Sequence, residues 1–179
     1  MKTVFLLSAV LVSSFLHAQT FTPTDKGSKV HFVIKNFGIN TGGDIAGMKG
    51  KIKFNAKKLS TCSVDVTADV SSIDTDNDKR DEHLKTADFF DLEKYPVIHI
   101  ESTKVEPGAD LKHFTFKGKL TIKNITKNIE FPFTAEGKPG GALFKGDFEI
   151  KRSDYGLGKE GGTMSDKVKV SLSVFGKAG

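Results

Sequence analysis

The sequence predicts an all-β fold: about eight antiparallel strands, closed as a barrel or stacked as a sandwich, with one short helix near residues 76–88. Three observations carry this. Apolar and polar residues alternate with period two in eight separate segments. Clusters of Gly, Pro, Asn and Asp stand between the segments. A single stretch, 76–92, abandons the alternation for helix formers.

Taken in order, residues 29–35 place Val30, Phe32 and Ile34 on one face, and 51–54 place Ile52 and Phe54 in phase. Residues 62–70 set Cys62, Val64, Val66, Ala68 and Val70 against Ser63, Asp65, Thr67 and Asp69. In 97–102, Ile98 and Ile100 oppose His99 and Glu101. Residues 114–122 align Phe114, Phe116, Leu120 and Ile122; residues 128–134 align Ile129, Phe131 and Phe133. Residues 142–150 align Phe144, Phe148 and Ile150, and 167–175 align Val168, Val170, Leu172 and Val174 against Lys167, Lys169, Ser171 and Ser173. One apolar and one polar face is the pattern of a half-buried antiparallel strand. Closure would remove the exposed edges of such a sheet. Turns are expected at Gly42-Gly43, Pro107-Gly108, Pro139-Gly140-Gly141 and Gly161-Gly162, and bends at Gly118 and Gly146. In 76–92, Lys79, Arg80, Glu82, Leu84, Lys85 and Ala87 favour a helix, and Asp74, Asp76 and Asp78 suit its N-terminus. Phe89 and Phe90 fall in an irregular corner that Pro96 ends.

The chain has 179 residues, one domain's worth. Residues 1–18 read as a secretory signal: basic Met1-Lys2, an apolar run from Val4 to Leu16, and Ala18 at the cut. The run is too short to span a bilayer. Residues 19–179 are then the domain proper, with a periplasmic or secreted destination. No later stretch approaches the roughly 20 apolar residues of a membrane helix. Removing Lys2 lowers the formal charge from +5 to +4, and the lysines are spread rather than clustered. Spread lysines serve solubility and blunt strand edges. They argue against nucleic-acid binding and leave room for transient contact with an anionic membrane surface. Cys62 is the single cysteine, so no internal disulfide forms; its strand phase makes it a small core residue.

Catalytic chemistry has no local signature. His31, His83, His99 and His113 are dispersed, without HExxH or Cys/His spacing, so no metal site is expected. There is no GxSxG, and no Gly-rich loop joins a strand to a helix. The cluster Asp78, Arg80, Asp81, Glu82 and His83 reads either as a polar site at a barrel mouth or as a solvated, self-paired helix face. Phenylalanine is in surplus: fifteen, against two Tyr and no Trp. A small barrel can be filled by such side chains or can hold one ligand, and periodicity does not separate the two.

Four segments, IKNFGINTGGDIAG (34–47), SSIDTDNDKRDEHLKTADFFDLEKYP (71–96), FKGKLTIKNITKNIEFPF (116–133) and GDFEIKRSDYGLG (146–158), together resemble the YceI-like family of lipid-binding, lipocalin-shaped proteins. The second is the most specific, with Ser72, Ile73, Thr75, Arg80, Asp81, His83, Leu84, Phe89, Phe90, Tyr95 and Pro96 in the family's order. The fourth ends in Arg152, Asp154, Tyr155 and Gly156. Asn36 stands where the first motif often has histidine.

The resemblance implies an extended antiparallel up-and-down barrel, export, and an elongated pocket for a polyisoprenoid or similar lipid, with no other cofactor and no catalytic residue. Phe32, Ile34, Val64, Val66, Phe114, Phe116, Leu120, Phe148, Ile150, Val170 and Leu172, with Phe89 and Phe90, would line the cavity. Arg80, Asp81, His83, Arg152 and Asp154 would hold a head group at the mouth or brace the helix against the barrel. Burying about 400 Å² of tail yields roughly 10 kcal/mol gross. Two other readings stand beside this one: a filled barrel serving as an interaction module, and an enzyme acting on bound lipid through His83 with Asp81 or Asp154.

Overall fold

The computed structural model describes residues 19–159 and 161–179; the signal expected at 1–18 lies outside the described residues. The described residues form nine strands: β1 (Gln19–Asn36), β2 (Ile39–Ile45), β3 (Lys49–Phe54), β4 (Ser63–Asp69), β5 (Val97–Pro107), β6 (His113–Ile122), β7 (Ile125–Lys138), β8 (Gly141–Lys151) and β9 (Met164–Ala178). One helix, α1 (Asp78–Lys85), interrupts them. All neighbours pair antiparallel, and β1 pairs with β9, which closes an eight-stranded barrel with one extra strand.

The extra strand is accounted for by β1. Its second half pairs with β2 (Val30 opposite Ile45) and its first half with β3 (Phe21 opposite Ile52), so β2 and β3 lie end to end along one edge. The break between them faces an irregularity in β1 between Thr24 and Lys29. There the Met48 amide donates to the Asp25 carboxylate at 3.1 Å, and the Ser28 hydroxyl accepts from the Phe175 amide at 2.7 Å. Such bulges bend a strand and sharpen its twist, as a closing wall requires. A second shift, between Ser102 and Lys104, lies beside Gly118, where an added Cβ would come within 2.2 Å of the Glu101 carbonyl oxygen.

All eight alternating segments lie in strands, and β6 shows the clearest case: Phe114, Phe116, Leu120 and Ile122 are buried, with half-buried polar residues between them. The turn at Pro139-Gly140 is a two-residue hairpin with Gly140 at φ 78°, the glycine position of a type II turn. Gly42-Gly43, in contrast, is not a turn but the middle of β2. The glycines are there for close approach: a Cβ on Gly43 would meet Thr75 Cγ2 at 2.6 Å and Phe32 Cζ at 2.7 Å. The actual turn is Phe37-Gly38, with φ 51° and 78°. The helix is shorter than expected, with Asn77 as its cap accepting from the Arg80 amide at 3.0 Å.

The interior is filled unequally. At the end where β1 begins, Phe21, Phe54, Phe114, Phe133 and Phe144 pack edge to face or tilted, with centroids 5.0–6.1 Å apart. This forms a solid floor. Cys62 packs against it, and burial pushes its thiol pKa up, as suits an inert core cysteine. At the opposite end Leu120, Ile122, Tyr155 and Leu157 form a second cluster under Phe89 and Phe90. Burial, with a smaller contribution from Asp154, pushes the Tyr155 hydroxyl up to about 12. Exterior charges pair across strands, as Lys117 does with Glu106 at 2.9 Å; such exposed pairs add little to stability.

If close approach explains Gly43, then Gly43→Ala should cost roughly 1–3 kcal/mol, since the clash involves packed atoms. Urea unfolding measures this. An unchanged midpoint would show that the β2 face has slack.

Candidate functional site

Between floor and far cluster lies a cavity of about 240 Å³. A single water needs only about 10–15 Å³, so this is not a packing defect. Its lining surface is apolar throughout, so it offers water no partners.

Each wall comes from a strand's inner face. β1 supplies Val30, Phe32 and Ile34; β9 supplies Val168, Val170 and Leu172. All six point inward as cross-strand pairs, Val30 with Leu172, Phe32 with Val170 and Ile34 with Val168, and all are only half-buried where they face the cavity. β4 adds Val64 and Val66, and β5 adds Ile98 and Ile100. Phe116, Phe131 and Phe148 form a stacked row along β6, β7 and β8, with neighbouring rings 4.8 Å apart and Phe148 beside Val170 of β9. Leu120 and Ile150 extend that wall, and α1 contributes Leu84. Phe89 and Phe90 reach in from the irregular corner after α1. Phe114 departs from the expected lining: it shares the inward phase but is 3% exposed within the floor, wedged between Phe54 and Phe133. Ile45 was out of reach of the sequence, because its neighbours Gly42 and Gly43 read as a turn. Val30, Ile98, Ile100 and Val168 stood in the alternating pattern beside residues that were named.

The polar residues fall into two separate braces. The first is local to α1. Arg80 Nε donates to Thr75 Oγ1 at 2.8 Å, and its Nη2 donates to the Thr75 carbonyl at 2.6 Å. Asp81 accepts from the Thr75 amide at 3.0 Å and from the Thr75 hydroxyl. Thr75 and Asp81 are buried. This pins the helix start to the segment whose Asp74 exchanges backbone hydrogen bonds with Asp44 on β2. The second brace is Arg152, 3% exposed, which donates to the carbonyls of Leu157, Lys159, Ser165 and Met164 at 2.8–3.3 Å. It closes the β8–β9 corner on itself. Beside it Asp166 accepts from the Ser153 amide and hydroxyl, each at 2.9 Å, and these bonds hold its carboxyl below the usual range.

His83 is exposed and sets its ring edge-on to Phe89, centroids 5.0 Å apart. Asp154 is exposed, with no hydrogen bond or ion pair among the described residues. The structure brings neither His83 to Asp81 nor His83 to Asp154. His31, His99 and His113 each face one carboxylate, from Asp44, Asp65 and Asp110. Among the described residues no three His, Cys, Asp or Glu side chains converge as a metal would need. Also among them, no helix is long and apolar enough to cross a membrane. The arrangement can enclose an apolar molecule.

The model of the YceI-like domain matches residues 21–175. A UPF0312 protein of Pseudomonas aeruginosa strain LESB58 is 32% identical over 154 residues, covering 82% of this chain and 80% of its own length. Burkholderia cenocepacia BcnA superposes with a TM-score of 0.78 at 26% identity, covering 83% of this chain and 95% of its own. A polyisoprenoid-binding domain from Saccharophagus degradans superposes with a TM-score of 0.70 over 90% of this chain and 99% of its own; at 14% identity it speaks for the fold.

If Arg80 only braces, Arg80→Ala should lower stability by about 1–3 kcal/mol with or without an apolar ligand, by leaving the Thr75 hydroxyl and carbonyl oxygens short of donors. Thermal unfolding with and without added lipid reads this. A loss of affinity at unchanged stability would assign Arg80 to ligand contact instead.

Proposed function

The chain belongs to the YceI-like family, and on that premise we propose that it is an exported protein that sequesters or carries one long apolar molecule, a polyisoprenoid or similar lipid, inside its barrel. The observation that carries the proposal is the hollow half of the barrel, where Val30, Phe32, Ile34, Val168, Val170 and Leu172 line the cavity and stay only half-buried although they face inward. The polyisoprenoid-binding domain with the same fold supports the choice of ligand class.

Binding needs no chemical step. The lining transfers the ligand's apolar surface out of water at about 25 cal/mol per Å². Association and chain-ordering costs offset part of this. The empty cavity also lowers the cost of entry: wall atoms without neighbours gain dispersion contacts when the ligand arrives. The floor limits how far a chain can penetrate, and the wholly apolar wall selects against polar tails. The periplasm is the compartment this reading implies, with residues 1–18 removed on export.

Two substitutions separate the hollow half from the filled half. Val170→Trp should occupy the cavity and weaken binding of a fluorescent polyisoprenoid by about tenfold or more, with stability close to wild type. Phe114→Ala should do the reverse, costing about 3–5 kcal/mol of stability with binding nearly intact where the protein stays folded. Fluorescence titration and urea unfolding of both variants read the outcome. Wild-type affinity in Val170→Trp would reject the cavity as the binding site.

A further inference from the structure

We propose that the β1–β2 hairpin, Phe37-Gly38-Ile39, is a docking tip that inserts into the surface of an anionic phospholipid bilayer. Docking goes beyond lipid carriage and stands or falls separately from it.

The tip is built against the ordinary chemistry of its turn. A two-residue hairpin turn with positive φ at both central positions favours Asn-Gly or Asp-Gly. Here the first position is Phe37 at φ 51°, where a bulky side chain is a genuine outlier. Nothing in the fold rewards the aromatic: Phe37 is 75% exposed and Ile39 is 70% exposed. A Cβ on Gly38, between them, would meet no atom within 4 Å. A strained, exposed aromatic with no ring contact among the described residues is an outlier of the kind that marks function.

The tip is held, not frayed. The Phe37 amide donates to the Thr163 carbonyl at 3.0 Å, and Thr163 Oγ1 donates to Asn36 Oδ1 at 3.0 Å. The two apolar side chains are therefore presented from a fixed base.

Charge and continuity identify the occupant. Lys35, just before the turn, is exposed and makes no ion pair among the described residues. A cation beside two exposed apolar side chains suits a surface that is anionic outside and apolar a few ångströms in. The cavity also reaches this end. Ile34 and Met164 line it, and Asn36, two residues beyond Ile34, pairs with Met164. Ile39 shares the inward phase of Ile45, another lining residue. The inward faces of β1 and β2 thus run from the lining, past Asn36 and Thr41, to the tip, so a docked barrel would present this end of its cavity to the bilayer.

The test is co-sedimentation of the protein, as isolated from its own cells, with vesicles of phosphatidylethanolamine and phosphatidylglycerol, and with vesicles of phosphatidylcholine. Wild type should bind the anionic vesicles more strongly. The double variant Phe37→Asn, Ile39→Thr should lose about tenfold or more of that binding. Lys35→Glu should weaken binding to the anionic vesicles alone. Because Asn tolerates the left-handed conformation, Phe37→Asn should also raise the melting temperature, by about 2–4 °C. Gained stability with lost docking is a pairing that a structural role cannot produce. Wild-type binding by the double variant, or no binding of wild type to either vesicle, overturns the proposal. So does a wild-type dimer, seen by analytical ultracentrifugation, that the double variant abolishes. A protein that docks but takes up no isoprenoid would refute the carrier reading and leave the docking tip standing.

Discussion

The pairing of β1 with β9 is the constraint on which the rest of the structure depends. β1 is the one strand that must serve two partners along one edge, β2 and β3, while its other edge meets β9 nearly end to end. Closure removes the open edges of the meander and fixes the number of strands around the axis. That number sets the interior width. Once the width is set, side-chain size alone decides whether a given level is filled or hollow. The irregularity near Thr24–Lys29 and the break between β2 and β3 let the wall bend enough to close.

The two ends of the barrel answer that width differently. Five phenylalanines span it at the floor and meet edge to face, which gives a conventional core. Higher up, the β1 and β9 faces carry mostly Val, Ile and Leu, and these shorter side chains leave the cavity between themselves and the stacked phenylalanines of β6 and β7. The hollow costs the empty protein dispersion contacts that a close-packed interior would have. The floor fills one end, the arginines fix α1 and the β8–β9 corner, and a ligand of matching shape would recover those contacts. Rigidity at the ends and emptiness between them belong to one design.

Much of the fold was legible because period-two alternation reports a half-buried strand directly. Strands β3 to β9 and the second half of β1 could be read this way. The first half of β1 could not: around Pro23 and Gly27 it buries little apolar side chain besides Phe21. β2 was hidden for a related reason, since its glycines serve close packing against Phe32 and Thr75, and the sequence does not distinguish that from turn chemistry. The lining was legible as a face, but not its emptiness. Phe114 and Phe116 are two residues apart in the same phase, and only their neighbours across the barrel place one in solid core and the other on a cavity wall. The braces were visible in part: Arg80 and Asp81 stood out as a cluster and Arg152 through the family resemblance, whereas the backbone carbonyls that Arg152 binds leave no mark in the sequence.

The central claim is that the barrel is hollow because it holds a lipid. Native mass spectrometry of the protein isolated from its own cells, followed by denaturation and extraction into organic solvent, tests it most directly. The account predicts a stoichiometric prenyl or acyl species that travels with the folded protein and leaves on unfolding. A bare protein that also takes up no long-chain isoprenoid when one is supplied would contradict it.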